Sequence, residues 1–348
     1  MADKIRVLVA DDSALMRKKI SDILSSDPDI EVVGVVRNGR EALAAVYSLK
    51  PDVVTLDVEM PVLNGIDTLG YIMSEVPTPC VMISAFTTEG AKETIRSLEF
   101  GAVDFVTKPS GVISPDIGKV GKEIITKVKI AAKISVKKLR LIWAKKAEEK
   151  ESVLKKPVAM SKVFAIASST GGVQALSVLL PALRGDLEAG ILIVQHMPKG
   201  FTKSLAERLN WQSKINVVEA EDNMPIKPAQ VIIAKGGLHM EVIGKEDSPS
   251  IALNNKPIRM GLKPNANILM QSVAKVFKQN SVGVILTGMG SDGTLGAQAI
   301  KSCGGTVLAE HESSCVIYGM PRSVVESGFA DRIVPLHEMA REMEELVL

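Results

Sequence analysis

The sequence predicts two doubly wound, mainly parallel α/β domains joined by a basic helical linker, and three observations carry that prediction. The chain has 348 residues, against roughly 100–200 for a single domain, so it can enclose two cores. Short β-branched runs alternate with helix-period stretches, and the pattern stops near residue 118 and restarts after Pro157. Charge divides at the same places: residues 1–118 carry net −7, residues 119–156 net +9 and residues 157–348 net 0. The expected domains are therefore 1–118 and 157–348, with 119–156 between them.

Composition excludes several classes. At 46% hydrophobic and 24% charged residues the chain is globular rather than disordered. No apolar run approaches the ~18 residues of a membrane span, and the charged start Met1–Ser13 runs straight into a strand-like stretch, unlike a secretory signal. A cytoplasmic protein with no membrane insertion is expected. Cys80, Cys303 and Cys315 show no C-x-x-C spacing, so all three read as small buried residues rather than metal ligands or disulfides.

In the first segment the strand-like runs are Ile5–Ala10, Val32–Val36, Val53–Leu56, Val81–Ala85 and Phe105–Thr107. Five βα units imply a parallel sheet covered on both faces, with working residues at the carboxyl ends of its strands. Those ends carry Asp11 and Asp12, then Asp57, Ser84 and Lys108. Converging carboxylates repel one another unless a cation sits among them, and an all-oxygen set suits Mg²⁺. With a lysine to neutralise developing charge and a hydroxyl to bond an oxygen, Asp57 can be the nucleophile of a phosphoryl transfer.

These residues resemble the receiver domain of bacterial response regulators, through D-D-S at 11–13, D-V-E-M-P at 57–61, N-G at 64–65 and K-P at 108–109. The resemblance covers the first third of the chain and implies a flavodoxin-like fold. It implies that Asp57 accepts the phosphoryl group and that Asp12, Asp57 and the Glu59 carbonyl bind Mg²⁺ with help from Asp11. Ser84 and Lys108 would sense the phosphoryl group and Phe105 would be the switch aromatic. Ser84 and Phe105 stand where relatives often carry Thr and Tyr.

The basic middle places Val120, Ile124, Val128, Ala132, Val136, Leu139 and Trp143 at helical steps, which predicts an amphipathic helix with a lysine-rich solvated face. A groove-binding helix would show clustered Arg and base-reading Asn or Gln. No nucleic-acid partner is expected.

In the second segment the runs are Val163–Ala167, Ile191–Gln195, Val231–Ala234, Val282–Leu286 and Thr306–Ala309, again a mainly parallel sheet. The first ends in Ala167-Ser168-Ser169-Thr170-Gly171-Gly172 and leads directly into the helical pattern Val173–Leu183. A serine on such a turn presents its hydroxyl above the sheet, beside helix N–H groups able to hold an oxyanion. The G-x-S-x-G register selects Ser169, although turn serines that only cap a helix are commoner than nucleophiles. A nucleophilic serine needs a base, and the histidines are His196, His239, His311 and His337. Only His196 directly follows a strand expected to end at the edge that carries Ser169. The third member is Asp292, in Thr287-Gly288-Met289-Gly290-Ser291-Asp292-Gly293 after the run ending at Leu286. The same loop also spells G-x-G-x-x-G, with Glu310 at the next strand end as a ribose-binding acid, so an NAD-dependent oxidoreductase is the competing reading. It ranks second because Asp292 would lie where a pyrophosphate passes.

Together these motifs resemble the catalytic domain of the CheB chemotaxis methylesterases, through A-S-S-T-G-G at 167–172, Q-H-M-P at 195–198, G-F-T at 200–202, G-M-G-S-D-G at 288–293 and Y-G-M-P at 318–321. The resemblance implies a Rossmann-like domain in which Ser169 attacks methyl-esterified glutamates of chemoreceptors, His196 is base then acid, Asp292 orients the imidazole, and Thr170 and Met289 support the site. Members often deamidate receptor glutamine too, and no cofactor is implied for hydrolysis. The implied partners are the cytoplasmic part of methyl-accepting chemoreceptors and the chemotaxis histidine kinase as phosphodonor. Domain order and resemblance imply that the unphosphorylated receiver covers the cleft and phosphorylation uncovers it. Two departures stand out: Ala167-Ser168 replaces the family's Gly-Ala, and Leu262-Lys263-Pro264-Asn265-Ala266-Asn267 stands where many relatives have His-Arg-Pro-Ser-x-Asp. The first motivates a third reading, a catalytically dead response-regulator scaffold.

Overall fold

A strand buried on both faces by crossover helices needs apolar residues at nearly every position, and the runs above supply them. A computed structural model describes residues 3–85, 87–108, 117–134, 160–257 and 262–347, in two units, Met1–Leu141 and Ile142–Leu348.

The first unit alternates strand and helix throughout: β1 (Ile5–Ala10), α1 (Ala14–Ser25), β2 (Ile30–Val36), α2 (Gly39–Leu49), β3 (Val53–Asp57), α3 (Gly65–Glu75), β4 (Cys80–Ser84), α4 (Thr88–Glu99), β5 (Asp104–Thr107) and α5 (Ile117–Ala131). The sheet order is β2-β1-β3-β4-β5, with every pair parallel. Helix starts follow the sequence, because Ser13, Asn38, Asn64 and Thr87 each accept a first-turn N–H of the helix that follows. The order reverses between β1 and β3, which opens a crevice at their carboxyl ends.

The basic segment is a correction. Residues 117–131 are α5, whose buried Ile124 and Val128 pack with α1, β4 and β5. This stretch is therefore the closing helix of the first unit rather than part of a linker. Its apolar stripe packs on β3, β4 and β5 beside α1. Val136, Leu139 and Trp143 lie outside the described residues.

The second unit contains β6 (Lys162–Ser168), α6 (Gly172–Ala182), β7 (Ala189–Gln195), α7 (Phe201–Gln212), β8 (Asn216–Glu219), β9 (Gln230–Ile233), β10 (His239–Ile243), β11 (Ser250–Asn254), α8 (Ala266–Phe277), β12 (Ser281–Ile285), α9 (Thr294–Ser302), β13 (Thr306–Glu310), α10 (Met320–Glu326), β14 (Arg332–Val334) and α11 (Leu336–Glu345). The main sheet runs β14-β13-β12-β6-β7-β9-β8, wholly parallel, and β10–β11 is a separate antiparallel pair. The register sets Ser168 beside Gln195 and Ala167 beside Ile285. Residues 169, 196 and 287 consequently leave the sheet at one edge.

Four strands are absent from the sequence reading. Strands β8 and β14 are short pieces at the two sheet edges, and β10 and β11 form the antiparallel hairpin. The cysteine expectation also needs amending, because Cys80 and Cys315 are buried but Cys303 is exposed, at the end of α9. No helix among the described residues is long and apolar enough to cross a membrane.

The placement of α5 is testable. Ile124→Ala empties a fully buried site against the first sheet and is expected to cost about 2–4 kcal/mol of that unit's stability, read as a lower urea midpoint by circular dichroism. A helix lying free in a linker would leave the midpoint unchanged.

Candidate active sites

The first crevice gathers acids. Asp11 follows β1 and Asp57 ends β3, both essentially without solvent exposure, while Asp12 is exposed. Asp11, Asp12 and Asp57 each bring a carboxylate oxygen within 4.8 Å of the others. Lys108 Nζ stands 2.7 Å from Asp57 Oδ2 and 3.1 Å from Asp11 Oδ2. Burial pushes the Asp57 carboxyl up to about 6; the lysine and the Glu59 N–H pull it down, and the Asp11 charge adds to the rise. Burial also works against the Lys108 cation, but the two carboxylates outweigh it and hold its pKa above the ordinary lysine value. Three acids against one lysine remain net negative, so the donor set fits a hard divalent cation.

Around this cluster, Arg17 donates to the carbonyls of Asp11 and Asp12 at 2.8 Å, which holds the loop. Glu59 offers its N–H to Asp57 Oδ1 at 3.3 Å. Ser84 is fully buried and its hydroxyl is bonded toward α4, with Thr94 Oγ1 at 2.7 Å and the Gly90 carbonyl at 3.2 Å. Phe105 is buried, with the Lys127 ammonium 5.2 Å from its ring centroid.

The second edge carries the other predicted residues and joins two of them, His196 and Asp292. His196 Nε2 lies 2.7 Å from Asp292 Oδ2, and both side chains are largely buried. Asp292 also accepts the N–H groups of Ala266 and Asn267 at 2.7 and 3.0 Å, the first turn of α8. Burial alone would raise the Asp292 carboxyl, but the His196 bond and charge with these two amides outweigh it and hold it below its ordinary value. His196 Nδ1 is buried with no hydrogen-bond partner among the described residues. Since Asp292 takes Nε2–H, the free Nδ1 lone pair is the one able to accept a proton.

Ser169 sits partly exposed on the turn between β6 and α6. Its N–H donates to the Thr287 carbonyl at 3.1 Å, and its carbonyl accepts Gln195 Nε2 at 3.0 Å. Gly171 takes φ +81° and starts α6 without a side-chain cap, which leaves amide donors beside the serine. Ser168 is buried and donates to Gln195 Oε1 at 2.6 Å, so the second hydroxyl of this turn is committed. Thr170 is buried and Met289 about half exposed. The other histidines lie elsewhere: His239 is buried in β10, His311 is exposed and bonded to Ser313, and His337 is exposed next to Glu338.

Three contributors escaped sequence reading. Gln195 ties the ends of β6 and β7. Asn265 caps α8 by accepting Ile268 N–H, and Asn267 Oδ1 accepts Gly293 and Gly296 N–H at 3.0 and 2.8 Å, which anchors the Asp292 loop. The asparagines of the divergent 262–267 segment thus supply acceptors without charge. Glu310 offers no ribose ligand, because its carboxyl is fully buried and accepts Thr287 N–H at 2.8 Å.

Fold and sites define a class of protein: a response regulator whose effector unit is an α/β hydrolytic domain. The comparisons agree. Residues 164–343 match the family described as CheB methylesterase and residues 7–113 the response regulator receiver domain, and the chain belongs to the CheB methylesterase family. It is 46% identical over 352 residues to a protein-glutamate methylesterase/protein-glutamine glutaminase of Pyrococcus horikoshii, covering 100% of this chain and 95% of that one. Identity to the protein of the same description from Thermotoga maritima is 42% over 348 residues, covering 100% of both. The crystal structure of the Thermotoga maritima CheB methylesterase catalytic domain matches with 41% identity and a TM-score of 0.53, over 54% of this chain and 99% of that one.

Two predictions follow from this geometry. A Cβ on Gly288 would lie 2.4 Å from Met320 Sδ and 2.8 Å from Ser169 Cβ, so Gly288→Ala is expected to slow fluorophosphonate labelling of Ser169 by at least about tenfold. Glu310 supplies a pH dependence, since burial pushes its carboxyl from the usual 4.5 up to about 7. The folded state keeps that proton to higher pH than the unfolded state. The associated stability is full below about 4.5 and is lost as pH rises through about 7, roughly 3 kcal/mol in all. Urea unfolding at pH 5 and pH 8 should show a wild-type drop that Glu310→Gln reduces.

Proposed function

We propose that this protein hydrolyses glutamate methyl esters, and deamidates glutamines, on the cytoplasmic part of methyl-accepting chemoreceptors. Ser169 is the nucleophile, and phosphorylation of Asp57 by the chemotaxis histidine kinase raises its activity. The carrying observation is the His196–Asp292 bond at 2.7 Å, with Nδ1 lacking a partner among the described residues and His196 one strand over from Ser169. The pairing of methylesterase with glutaminase in the relatives' descriptions supports both substrates, and the receiver match supports the kinase. A chemoreceptor substrate of this kind places the enzyme in the cytoplasm.

In the reaction, His196 Nδ1 takes the Ser169 hydroxyl proton as Oγ attacks the ester carbonyl. The anionic Asp292, held by two amides of α8, stabilises the imidazolium that forms. Amide donors at the start of α6 face the developing oxyanion. The imidazolium returns its proton to the leaving methoxide oxygen, which departs as methanol, or to the amide nitrogen in the amide reaction, which departs as ammonia. Water then adds to the acyl-enzyme with His196 again as base, which releases the receptor glutamate. Met289, exposed on the Asp292 loop, offers an apolar contact for the ester methyl, and buried Thr170 backs the nucleophile.

On the receiver, Asp57 attacks the phosphoryl donor while Lys108 faces the developing charge. Asp11, Asp12 and Asp57, with the Glu59 carbonyl, would hold Mg²⁺, which supplies charge neutralisation at the phosphoryl oxygens when bound. Ser84 would leave its α4 partners to bond the phosphoryl group, and Phe105 would report the change. The scaffold reading loses ground because Ala167 and Ser168 are accommodated in the paired end of β6, with the Ser168 hydroxyl bonded to Gln195.

Methanol release from methylated receptor membranes tests the proposal. Wild type is expected to release methanol faster with a small-molecule phosphodonor plus Mg²⁺. Ser169→Ala should abolish release, Asp292→Asn should lower kcat about a thousandfold or more, and Asp57→Asn should remove only the phosphodonor response. Deleting residues 1–150 is expected to raise the basal rate. Release that persists in Ser169→Ala would reject the assignment of the nucleophile.

A further inference from the structure

Glu310, which the competing dinucleotide reading would set against a ribose, is withdrawn from solvent by the structure. It ends β13 with no exposed surface. Its Oε2 accepts Thr287 N–H at 2.8 Å and its Oε1 accepts the Ser314 hydroxyl at 2.9 Å, and Ser314 Oγ in turn accepts Leu336 N–H at 3.0 Å. The Cys315 side chain also bonds the carboxyl, and none of these partners is a cation. An uncompensated carboxyl in such a place is expensive, whereas an apolar side chain there would leave Thr287 N–H buried and unpaired.

Thr287 is a junction. Strands β12 and β13 pair as far as Ile285 and Ala309, and beyond that level Thr287 N–H is taken by the Glu310 side chain. The Thr287 carbonyl accepts Ser169 N–H at 3.1 Å. Its hydroxyl accepts Ile317 N–H at 2.9 Å and lies 3.1 Å from the Thr170 carbonyl. The next residue, Gly288, donates to the Ile317 carbonyl and accepts the N–H groups of Gly319 and Met320. One residue therefore joins the Ser169 turn, the base of the Asp292 loop and the Tyr318 loop. The link that ties it to β13 is the Glu310 carboxyl.

We infer that Glu310 is a positioning residue of the esterase site, which fixes Thr287 so that the Ser169 turn and the Asp292 loop share one anchor. The inference rests on the proposed catalytic roles of Ser169 and Asp292, and it goes beyond them by assigning a function to a buried acid that touches neither substrate nor reacting atoms. What the anchor requires of residue 310 is an acceptor for Thr287 N–H at that reach.

The test uses the full-length chain with Glu310→Ala, Glu310→Gln and Glu310→Asp. Amide hydrogen exchange is followed at Ser169 and Thr287, and methanol release gives kcat and KM. In Glu310→Ala, exchange at both amides should rise and kcat should fall by about tenfold or more with KM within about twofold. Glutamine keeps an acceptor at the same reach, so Glu310→Gln should restore both readouts to near wild type. Glu310→Asp draws the oxygens back by one methylene and should loosen the same two amides, which gives a second reading if the alanine variant does not fold. Wild-type exchange at Ser169 and Thr287 in both Ala and Asp variants, or raised exchange with unchanged kcat, overturns the inference. Should wild type itself release no methanol, the proposed activity fails and the exchange measurement still decides the anchor.

Discussion

The candidate site of the second unit depends on β6 being hydrogen-bonded on both sides. With β7 on one flank and β12 on the other, its last residues cannot twist away. The turn that follows must reverse within a few residues of a fixed edge. Ser168 and Gln195 close that edge through side chains: the serine hydroxyl donates to the amide oxygen while the amide nitrogen holds the Ser169 carbonyl. The clamp makes the departure at Ser168 intelligible, since a hydroxyl there adds a buried bond to Gln195. The main-chain bond from His196 N–H to the Ser168 carbonyl extends the β6–β7 ladder one step past the strands. His196 is thereby held level with the turn that carries Ser169.

How much of this was legible in sequence depended on the range of the interaction. Strands such as Ile5–Ala10 and Thr306–Glu310, and the residues at their carboxyl ends, could be read because apolar runs and motif residues lie within a few positions of one another. Ser169, His196 and Asp292 fall in that class. Gln195, Thr287 and Asn267 do not, because each acts by a buried bond to a segment well removed in sequence. Helix α5 shows a different limit: periodicity announced an apolar stripe but not the surface it covers, so a helix of the first unit was read as a connector. The second-ranked dinucleotide reading gives Glu310 a ribose on loop spacing alone, and only the fold shows that the acid is buried against a protein amide and hydroxyl. Edge strands β8 and β14 carry too few apolar residues to register as runs.

The two sites use the same side chain in opposite electrostatic settings. Asp57 is drawn up to about 6 because burial and the Asp11 charge oppose its ionisation more than Lys108 favours it, a state that a divalent cation would relieve. Asp292 is buried as well, yet it is held below its ordinary value. The difference lies in its donors: an imidazole and two amides at the start of a helix direct their positive ends at one carboxylate.

Residue 267 makes that arrangement possible. Its backbone N–H donates to Asp292 Oδ1 while its side-chain oxygen accepts Gly293 and Gly296 N–H, so a single residue ties the start of α8 to the loop that carries Asp292. A carboxylate could fill the same acceptor role, but it would set a second negative charge beside Asp292 and its bond to His196. Asparagine keeps the geometry without that repulsion. The divergent 262–267 segment therefore retains the acceptors the loop requires and adds no charge to compete with Asp292.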